Sequence, residues 1–425
     1  MDITMDNLKE LLKQRVVENI DLAKEITDDE IYGLIDCILI GHGREGYISI
    51  QEKQRLRKDI FNSIRKLDII QELIDDPDIT EIMVNGTDKI FIEKNGRIYP
   101  VPKQFESRQK LEDVVQQMVA HSNRIINEAS PIVDSRLPDG SRVNIVLSPV
   151  AMEGPIITIR KFPSSPITID RLIELDSVSK EAAEFLRMLV VGGYNIFISG
   201  GTGSGKTTFL NVLSNFIPSD ERVITIEDSA ELQLRNISNL VRLEVRNANS
   251  EGSNEITIRD LIKTSLRMRP DRIIIGEIRD GAAADLLQAM NTGHDGSIST
   301  GHANSPLDML SRLESLVLLS ADIPLLAIRK QITSAIDIIV HLGRLRDRSR
   351  KLLEITEVLD CQGGEFKLNP LYLFEETAER DGKLEGRFVK QNELANIEKL
   401  KRAGLNMTSF SVETDGGQKG KGAVP

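Results

Sequence analysis

Cysteine is scarce and tryptophan is absent: the 425 residues hold only Cys37 and Cys361, far apart in sequence. That excludes a disulfide framework and a CxxC pair, and it fits a reducing compartment. No apolar run approaches the ~18 residues that a membrane-spanning helix needs. The first residues, Met-Asp-Ile-Thr-Met-Asp, lack the basic start and apolar block of a signal peptide. Bases are in the minority, 54 against 65 acids, for a net charge of -11. Such a chain is a poor non-specific binder of nucleic acid or anionic lipid, although a local basic channel is compatible with it. Aromatic residues are 4%, and no aromatic-plus-basic strip offers a stacking platform for a single strand.

What is present is ordinary globular usage, 40% hydrophobic and 28% charged, in a length that suits two or three domains. The composition predicts a cytoplasmic protein whose membrane association comes through a partner. Residues 1–66 read as helical, with Leu8, Leu11, Leu12 and Val16 at helical spacing. A second helix starts at Thr27, with Glu30 placed for a capping box. A third runs from Glu52 to Leu67, and its Arg55, Arg57, Lys58, Arg65 and Lys66 read as a solvated face.

From residue 67 to 161 the pattern is a small α+β domain. Thr80-Glu-Ile-Met-Val-Asn reads as a strand, Asn95-Gly96 as a hairpin turn, residues 107–121 as a helix, and Val143–Leu147 and Ile156–Arg160 as further strands. Residues 162–169, with two prolines, predict an extended linker. From 170 to 345, apolar strands at Asn195–Ser199, Val223–Glu227, Arg272–Gly276 and Ser297–Thr300 alternate with helical segments. That rhythm predicts an α/β fold with a parallel sheet. A basic run from Arg344 to Lys351 follows. A C-terminal subdomain is expected over 346–405, with strands near 353–358 and 365–368 and a helix over 391–403 ending at Gly404. Residues 406–425, rich in Gly, Ser, Thr and Lys, read as a disordered tail.

Gly200-Gly-Thr-Gly-Ser-Gly-Lys206-Thr207 matches G-x-x-x-x-G-K-[ST] at every position, after an apolar strand and before a helix. Backbone N–H groups of Gly201, Thr202, Gly203, Ser204 and Gly205 can close around phosphate oxygens, and the helix N-terminus carrying Thr208 adds partial positive charge. Lys206 can reach the β- and γ-phosphates, and the Thr207 hydroxyl can ligate Mg²⁺. No Asn-Lys-x-Asp guanine-reading segment occurs, which favours ATP over GTP. Two further strands end in acids, Glu227-Asp228 and Glu277. Carboxylates at strand ends beside a P-loop can hold Mg²⁺ through water or polarise the attacking water. His294 and His302 flank a short strand, and His302 is expected near the γ-phosphate. A zinc site is not expected there, because no ligand set has suitable spacing.

The ordered segments Gly200–Thr207, Ile226-Glu-Asp-Ser-Ala-Glu, Met268-Arg-Pro-Asp-Arg-Ile-Ile-Ile-Gly-Glu-Ile-Arg-Asp and Thr292-Gly-His-Asp-Gly-Ser-Ile-Ser-Thr-Gly-His-Ala-Asn-Ser resemble the Walker A, Asp box, Walker B and His box of the type II/type IV secretion ATPase superfamily. Asp75-Asp-Pro-Asp-Ile-Thr-Glu-Ile-Met-Val-Asn-Gly and Ser135-Arg-Leu-Pro-Asp-Gly-Ser-Arg-Val-Asn are similar to the N-terminal domain of the CpaF-type ATPases of Tad pilus assembly. The likeness spans residues 68–345. It implies a RecA-like ATPase domain behind a PAS-like N-terminal α+β domain. It also implies a homohexamer that uses ATP and Mg²⁺ and works with a polytopic membrane platform protein, peripheral at the inner face of the cytoplasmic membrane. Glu277 matches the family's catalytic glutamate. Glu227 and Asp228 match the Asp box that positions water and metal, and His302 matches the histidine that senses the γ-phosphate. His294 reads as structural. This Walker B lacks the usual terminal Asp. N-terminal-domain arginines reach the nucleotide in the family, and Arg142 and Arg160 fit that role best, with Arg136 next. Two rival readings stay open: a RecA-like nucleic-acid translocase, which strand-stimulated hydrolysis would reveal, and a regulatory nucleotide-binding protein without turnover.

Overall fold

The structure is a computed structural model that describes residues 5–20, 24, 26–42, 48–94, 96–120, 124–162, 166–246, 248, 254–320, 322–380 and 382–405. The tail read over 406–425, the turn residue Asn95 and linker positions 163–165 lie outside the described residues. The chain divides into two compact units, Met1–Ser164 and Ser165–Pro425.

The first unit begins with helices α1 (Met5–Glu18), α2 (Asp28–His42) and α3 (Ile50–Arg65). Leu8, Leu12 and Val16 pack with Ile31, Ile35, Leu39, Leu56 and Ile60 in a core of their own. Leu11, read as part of the same stripe, is exposed, because positions three before and one after it already fill the inward face. Thr27 and Glu30 form the reciprocal bonds of a capping box. The basic face of α3 is paired internally: Arg57 grips Asp36 at 2.6 and 3.1 Å and lies over the Tyr32 ring, and Arg65 meets Asp28.

A short α4 (Ile69–Asp75) leads into β1 (Ile79–Asn85), β2 (Lys89–Lys94), β3 (Arg97–Val101), α5 (Arg108–Ala120), β4 (Ile132–Arg136), β5 (Arg142–Val146) and β6 (Ile156–Arg160). The six strands form one sheet ordered β3-β2-β1-β6-β5-β4, antiparallel throughout. Alternate residues such as Ile82, Val84, Val143, Ile145, Ile157 and Ile159 face α5 in a single core. The sequence reading missed α4 and β4.

The second unit runs α6 (Ile169–Glu174), α7 (Lys180–Val191), β7 (Ile196–Gly200), α8 (Lys206–Ser214), β8 (Arg222–Glu227), β9 (Asn239–Glu244), α9 (Ile258–Ser265), β10 (Arg272–Ile275), α10 (Ala282–Asn291), β11 (Ile298–Gly301), α11 (Pro306–Leu318), α12 (Leu325–Ala335) and β12 (Ile338–Arg344). It ends with β13 (Arg350–Gln362), β14 (Glu365–Arg380), β15 (Lys383–Lys390) and α13 (Glu398–Arg402). All nine strands form one sheet, ordered β15-β14-β13-β12-β7-β11-β10-β8-β9. From β12 to β9 the neighbours are parallel, and β12 to β15 are antiparallel. The central strands are apolar on both faces, as covered parallel strands must be. Ile196 and Ile198 pack toward α7 and α8, and Phe197 toward α10 and α11.

Two departures from the sequence reading concern the C-terminal part. Residues 346–405, read as a subdomain of their own, contribute β13, β14 and β15 to this sheet. The helix expected over 391–403 is confined to Glu398–Arg402, ending at Gly404 with φ 70. The buried Glu357 carboxylate accepts from the N–H groups of Ala395 and Asn396, which holds that stretch out of helical pairing. Among the described residues no helix is long and apolar enough to cross a membrane.

Candidate active site

The site lies at the C-terminal ends of β7, β8, β10 and β11, where a parallel sheet presents its loops. Between β7 and α8 the loop closes sharply. Gly200 has φ 156, and a Cβ there would stand 2.4 Å from the Leu342 carbonyl and 2.6 Å from the Ser204 hydroxyl. Gly205 caps α8 in the left-handed region at φ 96, a conformation that costs a side chain strain. Ser204 Oγ donates to the Gly201 carbonyl at 2.9 Å, bracing the loop. Gly201, Thr202 and Gly203 are exposed, and Thr207 and Thr208 are half-buried on the first turn of the helix.

Lys206, Glu277 and His302 come together. The Lys206 ammonium is buried, donates to the carbonyls of Gly200 and Gly201 at 3.0 Å each, and lies 3.2 Å from His302 Nδ1. His302 Nε2 is 3.2 Å from Glu277 Oε1. Burial holds the Lys206 amine below its usual range, against the attraction of Glu277. Burial and the Lys206 charge hold the His302 imidazole below its ordinary value. Burial also pushes the Glu277 carboxyl up, but its hydrogen bond with Arg279 and the charges of Arg279, His302 and Lys206 overcome that and leave it lowered.

Arg279 is the residue that sequence reasoning passed over. It donates to Glu277 at 2.8 Å and meets Asp228 at 3.4 Å, so one guanidinium bridges the acids that end two neighbouring strands. Its signal in the sequence is the Glu-Ile-Arg spacing, which sets it two residues from Glu277 in the loop after β10. Arg312 on α11 also adds positive charge near Lys206 and His302, a neighbour that only tertiary packing reveals.

Glu227 has a different environment. It is 3% exposed, and one oxygen accepts the N–H groups of Glu231 and Leu232 at 2.6 and 3.0 Å. Its other oxygen is buried without a hydrogen-bond partner. Burial raises its carboxyl above the usual range despite those two donors. An orphaned buried oxygen one strand from Glu277 suits a water or a hydrated cation. His294 is separate from the cluster: its ring bonds the Ala289 carbonyl at 3.1 Å at the end of α10. Beneath the P-loop, His341 on β12 lies 2.8 Å from the Ser199 hydroxyl, joining β12 to the strand that launches the loop.

Arg136, Arg142 and Arg160 belong to the other unit, and there the sheet register aligns them. Arg136 pairs with Arg142 and Arg142 with Arg160, a row across β4, β5 and β6 that continues to Glu81, 3.8 Å from Arg160.

Residues 64–387 match the family described as Type II/IV secretion system protein. A probable conjugal transfer protein TrbB of Sinorhizobium fredii is 34% identical over 72% of this chain and 91% of its own length. A putative conjugal transfer protein of Mycobacterium tuberculosis is 32% identical over 69% of this chain and 85% of its own. The solved ATPase DotB of Yersinia pseudotuberculosis aligns with 71% of this chain and 80% of its own length at a TM-score of 0.51 and 18% identity, a likeness of fold. With the P-loop, the strand-end carboxylates and the histidine in one cluster, the match over most of the chain is decisive: the chain belongs to the type II/IV secretion system family and is an ATPase of that family.

Proposed function

We propose that this protein is a hexameric ATP-driven motor that powers pilus assembly or secretion at the cytoplasmic face of a membrane, working through a polytopic membrane platform protein. The observation that carries the reading is the contact chain from Lys206 through His302 to Glu277. It links the group that meets the transferred phosphate to the group that activates water. Glu277 accepts the proton of the attacking water, and Lys206 stabilises charge on the phosphoryl oxygens. His302, touching both, reports the phosphate to the base. Arg279 orients Glu277 and keeps it ionised. Thr207, with Asp228 and the unpaired oxygen of Glu227 acting through water, would hold Mg²⁺, which supplies charge neutralisation to the phosphates when bound.

Arg142 and Arg160, with Arg136 beside them, serve the nucleotide from the N-terminal unit. The sheet register sets the three side by side on one face of β4, β5 and β6, a placement that supports their acting together. The linker read at 162–169 lets hydrolysis be converted into motion between units. The relatives named for conjugal transfer support a translocation role, and the acidic composition favours a protein cargo over direct traction on nucleic acid. Lys206→Ala tests the site: phosphate release by the full chain should fall by ~10²–10³-fold or more, with weakened ATP binding, and turnover at the wild-type rate would refute the assignment.

A further inference from the structure

The basic run between Arg344 and Lys351 closes the hairpin of β12 and β13. It emerges at the same end of the sheet as the P-loop, because Leu342 of β12 pairs with Gly200 of β7. Two of its cations are committed elsewhere. Arg346 pairs with Glu376 and Glu379 at 2.6 and 3.2 Å, and the buried Lys351 bonds Asp176. Asp347 fastens the turn by accepting from the Ser349 and Leu384 N–H groups, each at 2.9 Å.

Arg344 and Arg350 are different. They stand directly opposite in the β12–β13 register, so both side chains leave one face of the sheet. Both are exposed, and among the described residues neither has a carboxylate partner. Like charges directly opposite on paired strands are destabilising, and an anion between them removes the penalty. Arg350 is also anchored to the P-loop itself. Its Nε donates to the Gly203 carbonyl at 2.9 Å, and its Cδ would stand 3.7 Å from a Cβ on Gly205. That leaves the two terminal nitrogens of the guanidinium beside the loop whose N–H groups receive phosphate oxygens.

We propose that Arg344 and Arg350 form a phosphate subsite on the flank of the P-loop, gripping the α- and β-phosphates of the bound nucleotide. The strand order assigns the phosphates. β7 lies between β11 and β12. Glu277 and His302 follow β10 and β11 on one side, so the γ-phosphate end lies there, and the two arginines stand on the other side. A planar fork with fixed donors suits phosphate oxygens better than a point charge does. This subsite rests on the reading of the P-loop as the ATP site. It makes the two arginines determinants of nucleotide affinity that ATP and ADP share.

The test uses the full chain with fluorescent ATP and ADP at equilibrium, together with steady-state ATP turnover. Arg344→Ala and Arg350→Ala should each raise the Kd of ATP and of ADP by a similar factor, about 10–100-fold for a charged hydrogen bond. KM should rise in step with kcat little changed, the signature of binding shared by ground and transition states. Arg350→Lys should recover part of the loss, and inorganic pyrophosphate should compete less well in both alanine variants. ADP affinity unchanged in either alanine variant, or a loss confined to ATP, would overturn the subsite. Arginines paired instead with an acidic surface of a second copy would leave pyrophosphate competition unaltered, which also overturns it. A wild-type chain that binds neither nucleotide would overturn the P-loop reading itself, a separate result.

Discussion

Two carboxylates one strand apart are held in opposite states of readiness. Glu277 faces Arg279, His302 and Lys206, and their charges outweigh burial, so it is ionised well below neutrality. Glu227 is buried against backbone donors, and burial raises it. The pH profile follows from the first group and its neighbour. His302 titrates below the ordinary histidine value of 6.5, and Glu277 below the ordinary glutamate value. From pH 6.5 upward both are therefore in their working forms, and neither should bend kcat/KM there. An acid limb should begin below 6.5 as His302 and Glu277 take up protons. Initial-rate measurements that place the limb above 6.5 would assign it to another group. Glu227→Ala removes the acceptor for two N–H groups and should destabilise the fold by about 1–3 kcal/mol, read by chemical denaturation. The sequence marked Glu277 and His302 as separate candidates, and their 3.2 Å contact appears only in the fold. The environment of Glu227 was not legible either, because the Glu231 and Leu232 donors depend on how the following loop folds back.

The elements explain which strands the sequence disclosed. β7, β8, β10 and β11 are short apolar runs bounded by loop residues, and those were read at their places. β12 follows α12 with only Ile336 and Asp337 between them, so nothing in the sequence punctuates the change from helix to strand. β9 is an edge strand of alternating, half-exposed residues, and its polarity hides it. Arg272 on β10 shows how a buried charge fixes such an element. It is 3% exposed, pairs with Glu221 and donates to the Val190 carbonyl at the end of α7. Arg272→Ala strands Glu221 and the carbonyl, and should cost about 3–5 kcal/mol of stability in a denaturation experiment. The arginine row of β4, β5 and β6 is also a product of register. Residues 136, 142 and 160 are unrelated in spacing, and only pairing sets them side by side. Arg142→Ala with Arg160→Ala should leave the sheet folded by circular dichroism and lower kcat by roughly 10²–10³-fold, the scale of a lost charge-stabilising donor.

At the scale of the whole molecule, the chain divides into its two compact units between Ser164 and Ser165, within the segment that carries two prolines in the sequence. X-Pro dipeptides there disfavour helix and favour extended backbone. The single sheet from β15 to β9 was not legible, since the antiparallel strands β13 to β15 carry no sign in the sequence of which sheet they join. The family match over residues 64–387 spans parts of both units. Glu277 is the residue on which the proposed chemistry turns. Steady-state phosphate release from Mg²⁺-ATP by the full chain, wild type beside Glu277→Gln, measures it most directly. The amide keeps the size and hydrogen bonding of the side chain but cannot take a proton from water. The account predicts ATP binding close to wild type with kcat lower by ~10²–10⁴-fold. Wild-type turnover in Glu277→Gln would contradict it.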